Sequence, residues 1–212
     1  YKSYRHYVLS ALAEKREVIV LGGMTGSSKT HILRRLALLN SKVIDLEALA
    51  NHKGSAFGAL GQQPQPSSEH FSNILFDKWR HIDAADTVWL EDESRSIGTV
   101  FMPDSFYDHL QSSPAVILMM SIEKRLPRLI EEYSTYPREQ LKDSVLRISK
   151  RLGGDNTRDA IAAIDSGDFA KAIEITLKYY DKAYMYGISK KHSGKIIYIE
   201  TDTDDIEINA VK

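Results

Sequence analysis

The sequence predicts an α/β protein: a parallel five-stranded sheet, a phosphate-holding turn after its first strand, and a helical insertion before its last. Three observations carry this reading. Short runs rich in β-branched residues alternate with stretches of helical periodicity, a pattern that folds as parallel strands joined by right-handed crossovers. The run Gly23-Met24-Thr25-Gly26-Ser27-Ser28-Lys29-Thr30 lies between the first of these strands and a helix. A later apolar strand ends in three consecutive acids, Glu91-Asp92-Glu93.

Residues 2–15 read as an amphipathic helix with Tyr4, Tyr7, Val8 and Leu12 on one side. Glu17 to Leu21 is a buried-strand signature, and a helix runs from Lys29 to about Leu39 after the glycine-rich turn. Lys42 to Asp45 reads as the second strand, and Gly54 to Ser68, rich in Gly, Ser, Gln and Pro, as the longest loop. Ser67-Ser68-Glu69 opens a helix reaching about Ile82. Thr87 to Leu90, Ala115 to Met120 and Lys195 to Ile199 supply the remaining strands. Between the last two, a long helical region is divided by good turns at Leu152-Gly153-Gly154 and Ser166-Gly167-Asp168.

These elements give a P-loop NTPase-like core over residues 1–121 with a kinase-like strand order. A helical subdomain over 122–190 would cover the carboxyl ends of the strands, where open α/β sheets bind ligands. Residues 191–212 supply the last strand and an acidic tail, with Glu200 to Glu207 read as a solvated end.

Composition narrows the class. An apolar fraction of 42% in 212 residues allows a sizeable core, and a net charge of −1 argues against a strongly basic nucleic-acid module, though a local basic face stays open. The absence of cysteine removes disulfides, thiolate metal sites and a cysteine nucleophile, and fits a cytoplasmic location. No apolar run approaches the roughly 18 residues of a membrane span. A chain opening on Tyr1 in helical register reads as part of a longer polypeptide.

A phosphate loop needs inward-pointing backbone N–H groups, a lysine for the terminal phosphates and a hydroxyl for Mg²⁺. Gly23 and Gly26 permit the backbone path, Ser27 and Ser28 belong to the cradle, Lys29 supplies the charge, and Thr30 is the expected Mg²⁺ ligand. Ser28 departs from the pattern, which places glycine beside the lysine. Carboxylates ending a strand beside such a loop hold Mg²⁺ or orient a nucleophile, which singles out Glu91 and Asp92, with Asp92 as the metal-side residue. Asp45, closing the second strand, is a substrate-side or metal-side carboxylate in the same sense. Arg95, Arg125 and Arg128 suit bidentate phosphate contacts, though Arg125 and Arg128 could equally be ion-pair partners of Glu123, Glu131 or Glu132. The segment His52-Lys53-Gly54-Ser55-Ala56-Phe57-Gly58 reads as a substrate contact through His52, Lys53, Ser55 and Phe57. Tyr180, within Tyr179 to Tyr184, is either helix packing or a stacking surface for a base or isoprenoid chain.

Together these segments resemble the C-terminal P-loop domain of the bacterial tRNA 2-selenouridine synthases. The likeness rests on Leu21 to Thr30, Asp45-Leu46-Glu47, His52 to Ser55 with Phe57-Gly58, and Trp89-Leu90-Glu91-Asp92-Glu93-Ser94-Arg95 with Ile97-Gly98. It ends with Leu152-Gly153-Gly154, Gly167-Asp168-Phe169 and Tyr179-Tyr180-Asp181. The resemblance implies modification of a tRNA wobble uridine, in which selenophosphate supplies selenium to 2-thiouridine through an S-geranylated intermediate made from geranyl diphosphate. It implies tRNA as partner; basic residues such as Arg138, Lys142, Arg147, Lys150 and Arg151 would meet its backbone, or form one solvated helix face. It also implies an N-terminal rhodanese-like domain bearing a cysteine, which this sequence lacks. Two other readings remain open: an ATP- or GTP-dependent small-molecule kinase or hydrolase, and a non-catalytic tRNA-binding module.

Overall fold

In the computed structural model, which describes residues 1–191 and 194–212, the central strand is β1 (Val18–Gly23). It follows helix α1 (Lys2–Leu12) and leads into α2 (Lys29–Leu38), β2 (Lys42–Ile44), α3 (Leu46–Ala50) and α4 (Ser68–Arg80). Next come β3 (Val88–Glu91), the short strands β4 (Ser96–Ile97) and β5 (Val100–Phe101), α5 (Asp104–Ser112) and β6 (Ala115–Met120). The helical segment comprises α6 (Ile122–Tyr133), α7 (Arg138–Arg147), α8 (Ser149–Leu152), α9 (Gly154–Ser166) and α10 (Phe169–Lys191). Strand β7 (Ile196–Thr201) and helix α11 (Ile206–Val211) close the chain.

The main sheet has the order β2-β3-β1-β6-β7, parallel throughout, as the alternation of strands and helices predicts. Val18 and Val20 of β1 pair with Val88 and Leu90, while Val20 to Gly23 pair with Ala115 to Leu118 on the other side. Both neighbours and both faces cover β1, which is why it reads as a continuous apolar run ending in glycine. The chain leaves β1 toward β2 and β3 and later returns on the opposite side as β6. The strand order therefore reverses at β1, and its carboxyl end opens into the crevice where such sheets bind ligands.

One face of the sheet buries α1, α4 and α5 through Leu12, Phe71, Leu75, Trp79 and Phe106. Trp79 is held edge-on by Phe106, with the Arg16 guanidinium 4.9 Å from its ring centroid. The other face packs Ile32 and Leu33 of α2, with Ile206 and Ala210 of α11, against Leu21 and Leu118. A separate core joins Leu141, Val145, Ala160 and Ile164 of the helical segment to Phe57 and Leu60. Gly153 (φ 88°) and Gly167 (φ 82°) make the turns on either side of α9.

Several elements differ from the sequence reading. Helix α1 ends at Leu12, three residues before the expected residue 15, and buries Val8 and Leu12 while leaving Tyr4 and Tyr7 exposed on the flank of the apolar arc. The ribbon β4–β5 and helices α3 and α5 lie in stretches too short or too mixed to show a period. Half of the acidic tail is folded: Asp205 accepts from Glu207 N and Ile208 N to cap α11, and Arg35 pairs with Glu207 at 2.6 Å. The boundary set at residues 190 and 191 borders His192 and Ser193, which lie outside the described residues. Among the described residues, no helix is long and apolar enough to cross a membrane.

Candidate functional site

The site is built where β1, β3 and β6 end. At Gly23 an added Cβ would lie 2.6 Å from Ser27 Oγ, and at Gly26 (φ 84°) it would lie 2.8 Å from Leu129 Cδ1. Both positions admit only glycine without rearrangement. The loop then turns into α2 through Ser28, whose φ of 65° is left-handed. A β-carbon in that region costs about 1–2 kcal/mol, so Ser28 holds a strained position where the usual loop has glycine. Lys29 folds back over the loop, its Nζ donating to Gly23 O at 2.7 Å. Among the described residues, the buried Ser27 and Ser28 hydroxyls have no hydrogen-bond partner. Buried polar atoms of this kind need an explanation, and an anion in the cradle supplies one.

Facing the loop are three acids. Thr30 Oγ1 donates toward Glu47 Oε2 (3.2 Å) and Glu91 Oε1 (3.3 Å), and Glu47 N donates to Glu91 Oε2 (3.0 Å). Burial, reinforced by the negative charge of Glu47, pushes the Glu91 carboxyl up to about 8. Burial and the neighbouring acids also raise Glu93, and burial raises Glu47, which hydrogen-bonds to Glu93. Glu47 stands on α3, a helix begun by Asp45, whose side chain caps Ala48 N at 2.8 Å and lies 3.6 Å from Arg34. The sequence singled out Asp45, yet the side chain that faces Thr30 is two residues further on. The acids and Thr30 form a hard-oxygen set that fits Mg²⁺. Among the described residues, no three carboxylates or imidazoles converge into a closed cage. Mg²⁺ bound here would therefore complete its shell with phosphate and water, as this ion does beside nucleotide phosphates.

Asp92 takes a different partner. Tyr184 of α10 donates to Asp92 Oδ2 (3.0 Å) and accepts from Gly23 N (2.6 Å), so one phenol joins the acidic strand end to the first glycine of the loop. A Cβ on Gly22 would collide with this hydroxyl and with Ile117. Arg125 is 1% exposed and donates to Asp181 (3.0 and 2.5 Å), Thr25 O (2.8 Å) and Ser121 O (3.3 Å). Its guanidinium thus shapes the loop from behind. Arg128 is half-buried on the same helix; its charge and that of Arg34 add to burial in lowering the His31 pKa. Arg95 lies apart from the loop in an exposed pair with Asp104.

The segment from His52 to Gly58 forms a second cluster. Tyr180 OH accepts from Ala56 N (2.9 Å), Ser55 Oγ accepts from Phe57 N (3.2 Å), and Phe57 stacks on Tyr133 with centroids 5.1 Å apart. Lys53 pairs with Glu132. His52 is buried, with its pKa lowered by desolvation, and packs so tightly that a Cβ on Gly58 or Gly98 would lie 2.6 or 2.7 Å from its ring. That packing ties His52, Gly58 and Gly98 to one another, since a side chain at either glycine would displace the ring. Gly54 joins the two clusters, since a Cβ there would sit 3.1 Å from Glu47 Oε1. Gln65, which the sequence did not single out, ties Ala50 O and Ile97 O to Thr99 N across this region.

The family model described as tRNA 2-selenouridine synthase AAA domain matches residues 16–209. The chain belongs to this family. A tRNA 2-selenouridine synthase of Shewanella halifaxensis (strain HAW-EB4) is 34% identical over 90% of this chain and 60% of its own length. One from Sulfurovum sp. (strain NBC37-1) is 30% identical over 91% of this chain and 61% of its own. The chain thus spans about 60% of the length of these curated relatives. Among solved structures, an uncharacterized protein from Eubacterium ventriosum ATCC 27560 aligns over 93% of this chain and 96% of its own at 12% identity, with a TM-score of 0.39.

Three outcomes follow from this geometry. Ser28→Gly removes the left-handed strain but adds unfolded-state freedom, so a net gain of up to about 1 kcal/mol is expected in urea unfolding. Ser28→Ala, which keeps the strain, should show no such gain. Tyr184→Phe keeps the ring and loses both hydrogen bonds, an expected cost of about 1–2 kcal/mol in the same measurement. The third outcome concerns pH. A carboxyl whose folded pKa lies above its unfolded value stabilises the fold below about pH 4.5 and loses that contribution as pH rises through its folded value. Without divalent cations the melting temperature should therefore fall between pH 5 and 8, and fall less in Glu91→Gln; a drop of equal size in the variant would remove Glu91 as its source.

Proposed function

We propose that this domain binds the diphosphate of geranyl diphosphate and serves S-geranylation of wobble 2-thiouridine in tRNA, on the way to 2-selenouridine. The observation that carries the reading is the phosphate loop at the carboxyl edge of the sheet, in a chain of the selenouridine synthase family. Lys29 and the loop N–H groups would hold the diphosphate, with the Ser27 and Ser28 hydroxyls as added donors. Thr30, Glu91 and Glu47 would hold Mg²⁺, which supplies charge neutralisation of the diphosphate when bound. Asp92, through Tyr184, would position the loop, while Arg128 would be left for phosphate or tRNA contacts.

The reaction needs no protein nucleophile. The 2-thiouridine sulfur attacks C1 of the geranyl group, a C–S bond forms, and the C–O bond to the diphosphate breaks. The leaving diphosphate takes the electron pair, the N3 proton of the uridine ring passes to water, leaving a neutral S-geranyl base, and Lys29 stabilises the charge that develops on the diphosphate. Exposed Arg147, Lys150 and Arg151 near the turn between α7 and α9 would meet the tRNA backbone. The selenium step, with selenophosphate as donor, is assigned to the complete polypeptide and its rhodanese-like domain, because this sequence has no cysteine. The cytoplasm is the expected compartment for such a tRNA-modifying enzyme.

The test uses the complete enzyme and this 212-residue chain with 2-thiouridine tRNA and geranyl diphosphate. Lys29→Ala should lower geranylation by the complete enzyme about 100-fold or more, the scale for removing a charge-stabilising donor, with tRNA binding retained. Unchanged geranylation would overturn the diphosphate reading. Release of phosphate from ATP or GTP, abolished by the same substitution and independent of tRNA, would favour a nucleotide-dependent activity instead.

A further inference from the structure

The diphosphate reading leaves the hydrocarbon without a seat, and the most obvious apolar space does not provide one. The void inside the helical core, between Phe57, Tyr133 and Phe169, has a volume of about 10 Å³. That is room for about one water molecule. The tyrosine-rich face of α10 is occupied as well, because Tyr180 and Tyr184 bind Ala56 and Gly23.

A larger cleft of about 710 Å³ opens directly beside the phosphate loop, between the carboxyl ends of β6 and β7. Its size is that of a small-molecule site. Met24 of the loop itself, Met119 of β6 and Ile122 at the start of α6 give it an apolar wall, to which the largely buried Met120 adds a little surface. Methionine side chains are flexible and polarisable and fit irregular hydrocarbon well. Three of the polar groups in the wall, Arg125, Asp181 and Thr201, are already committed. Arg125 is bound to Asp181 and Thr25, and Thr201 Oγ1 is bound to Asn209 Oδ1 at 2.6 Å. The far rim carries Glu200 and Asp202, with Lys124 on the near side. Those acids repel phosphate, whereas Lys29 and the loop amides attract it. A ligand with one anionic end and one apolar end is therefore held in a single orientation.

We infer that the Met24–Met119–Met120 cleft is the binding site for the hydrocarbon tail of an isoprenoid diphosphate whose phosphates occupy the loop. This rests on the diphosphate reading above and adds the location and chemistry of the tail.

Calorimetric binding of geranyl diphosphate, dimethylallyl diphosphate and inorganic pyrophosphate to the full chain separates the two. Affinity should rise with tail length, with geranyl diphosphate at least about tenfold tighter than pyrophosphate, since each buried CH₂ contributes roughly 0.8 kcal/mol. Met119→Gln, of similar shape, should remove most of that advantage and leave pyrophosphate binding unchanged. Lys29→Ala should weaken all three ligands. Equal affinity for all three, or a tail advantage untouched by both Met119→Gln and Met24→Gln, would overturn the cleft while sparing the phosphate loop. No binding of any diphosphate would overturn both. ATP binding that weakens in Met119→Gln would assign the cleft to a base and overturn the tail assignment. Loss of pyrophosphate binding in Met119→Gln marks a general structural effect; the tail assignment then stands or falls with a photoreactive geranyl diphosphate analogue, which must label Met24, Met119 or Met120 in the unmodified chain.

Discussion

The buried pair between Arg125 and Asp181 is the contact on which the site depends. Arg125 lies almost wholly out of water, which is costly for a charge unless it is paired and its donors are satisfied. Asp181 takes two of its N–H groups, and Thr25 O and Ser121 O take others. Through these bonds one guanidinium links three things: the end of β6, the middle of the phosphate loop, and the long helix α10. The helical segment is thereby fastened to the loop itself. Breaking the pair from either side would leave a buried charge without its complement, so α6 and α10 have a single favourable register against the core.

Helix α10 repeats this role at successive positions. Tyr180 takes the Ala56 N–H, Asp181 the guanidinium, and Tyr184 the Gly23 N–H and the Asp92 carboxylate. Residues 180 and 184 are one turn apart and present neighbouring positions of one helix face. That face therefore touches the segment from His52 to Gly58, the phosphate loop and the acidic strand end together. Any change in how α10 sits would be felt at all three places.

How far this was legible from the sequence depends on the range of each contact. The strands, their parallel order and the glycine-rich turn from β1 into α2 were legible because their signals are local: β-branched runs, and glycines and a lysine at fixed short spacings. The helical turns at Gly153 and Gly167 were legible for the same reason. Glu47 was passed over in favour of Asp45, because which of two acids after a strand turns inward is decided by the α3 cap. Arg125 was read as a phosphate contact or an ion-pair partner of a nearby acid, but its pairing with Asp181 spans 56 residues and leaves no local trace. Tyr184 lies 161 residues from Gly23, and only the folded chain joins them. Tyr4 and Tyr7 show the converse: a helical stripe marks which residues share a side, while the extent of buried surface is set by what packs on it.

The site itself is locally unfavourable, and that connects its parts. Ser28 holds a left-handed backbone, and Glu47, Glu91 and Glu93 crowd their carboxyls out of water beside Lys29. Strain and like-charge crowding persist only when the surroundings over-determine them. Here β1 and β3 fix the acids and the loop start through parallel pairing, while Arg125 and Tyr184 fix the loop from α6 and α10. This frame thus holds Lys29, the Ser27 and Ser28 hydroxyls and an acid cluster in an arrangement the local sequence alone would not adopt. The same frame places Met24 at the junction of the loop and the cleft, so a ligand spanning both meets groups whose positions are set before it arrives. For the diphosphate ligand proposed above, preorganisation of this kind would spare the cost of ordering the site on binding.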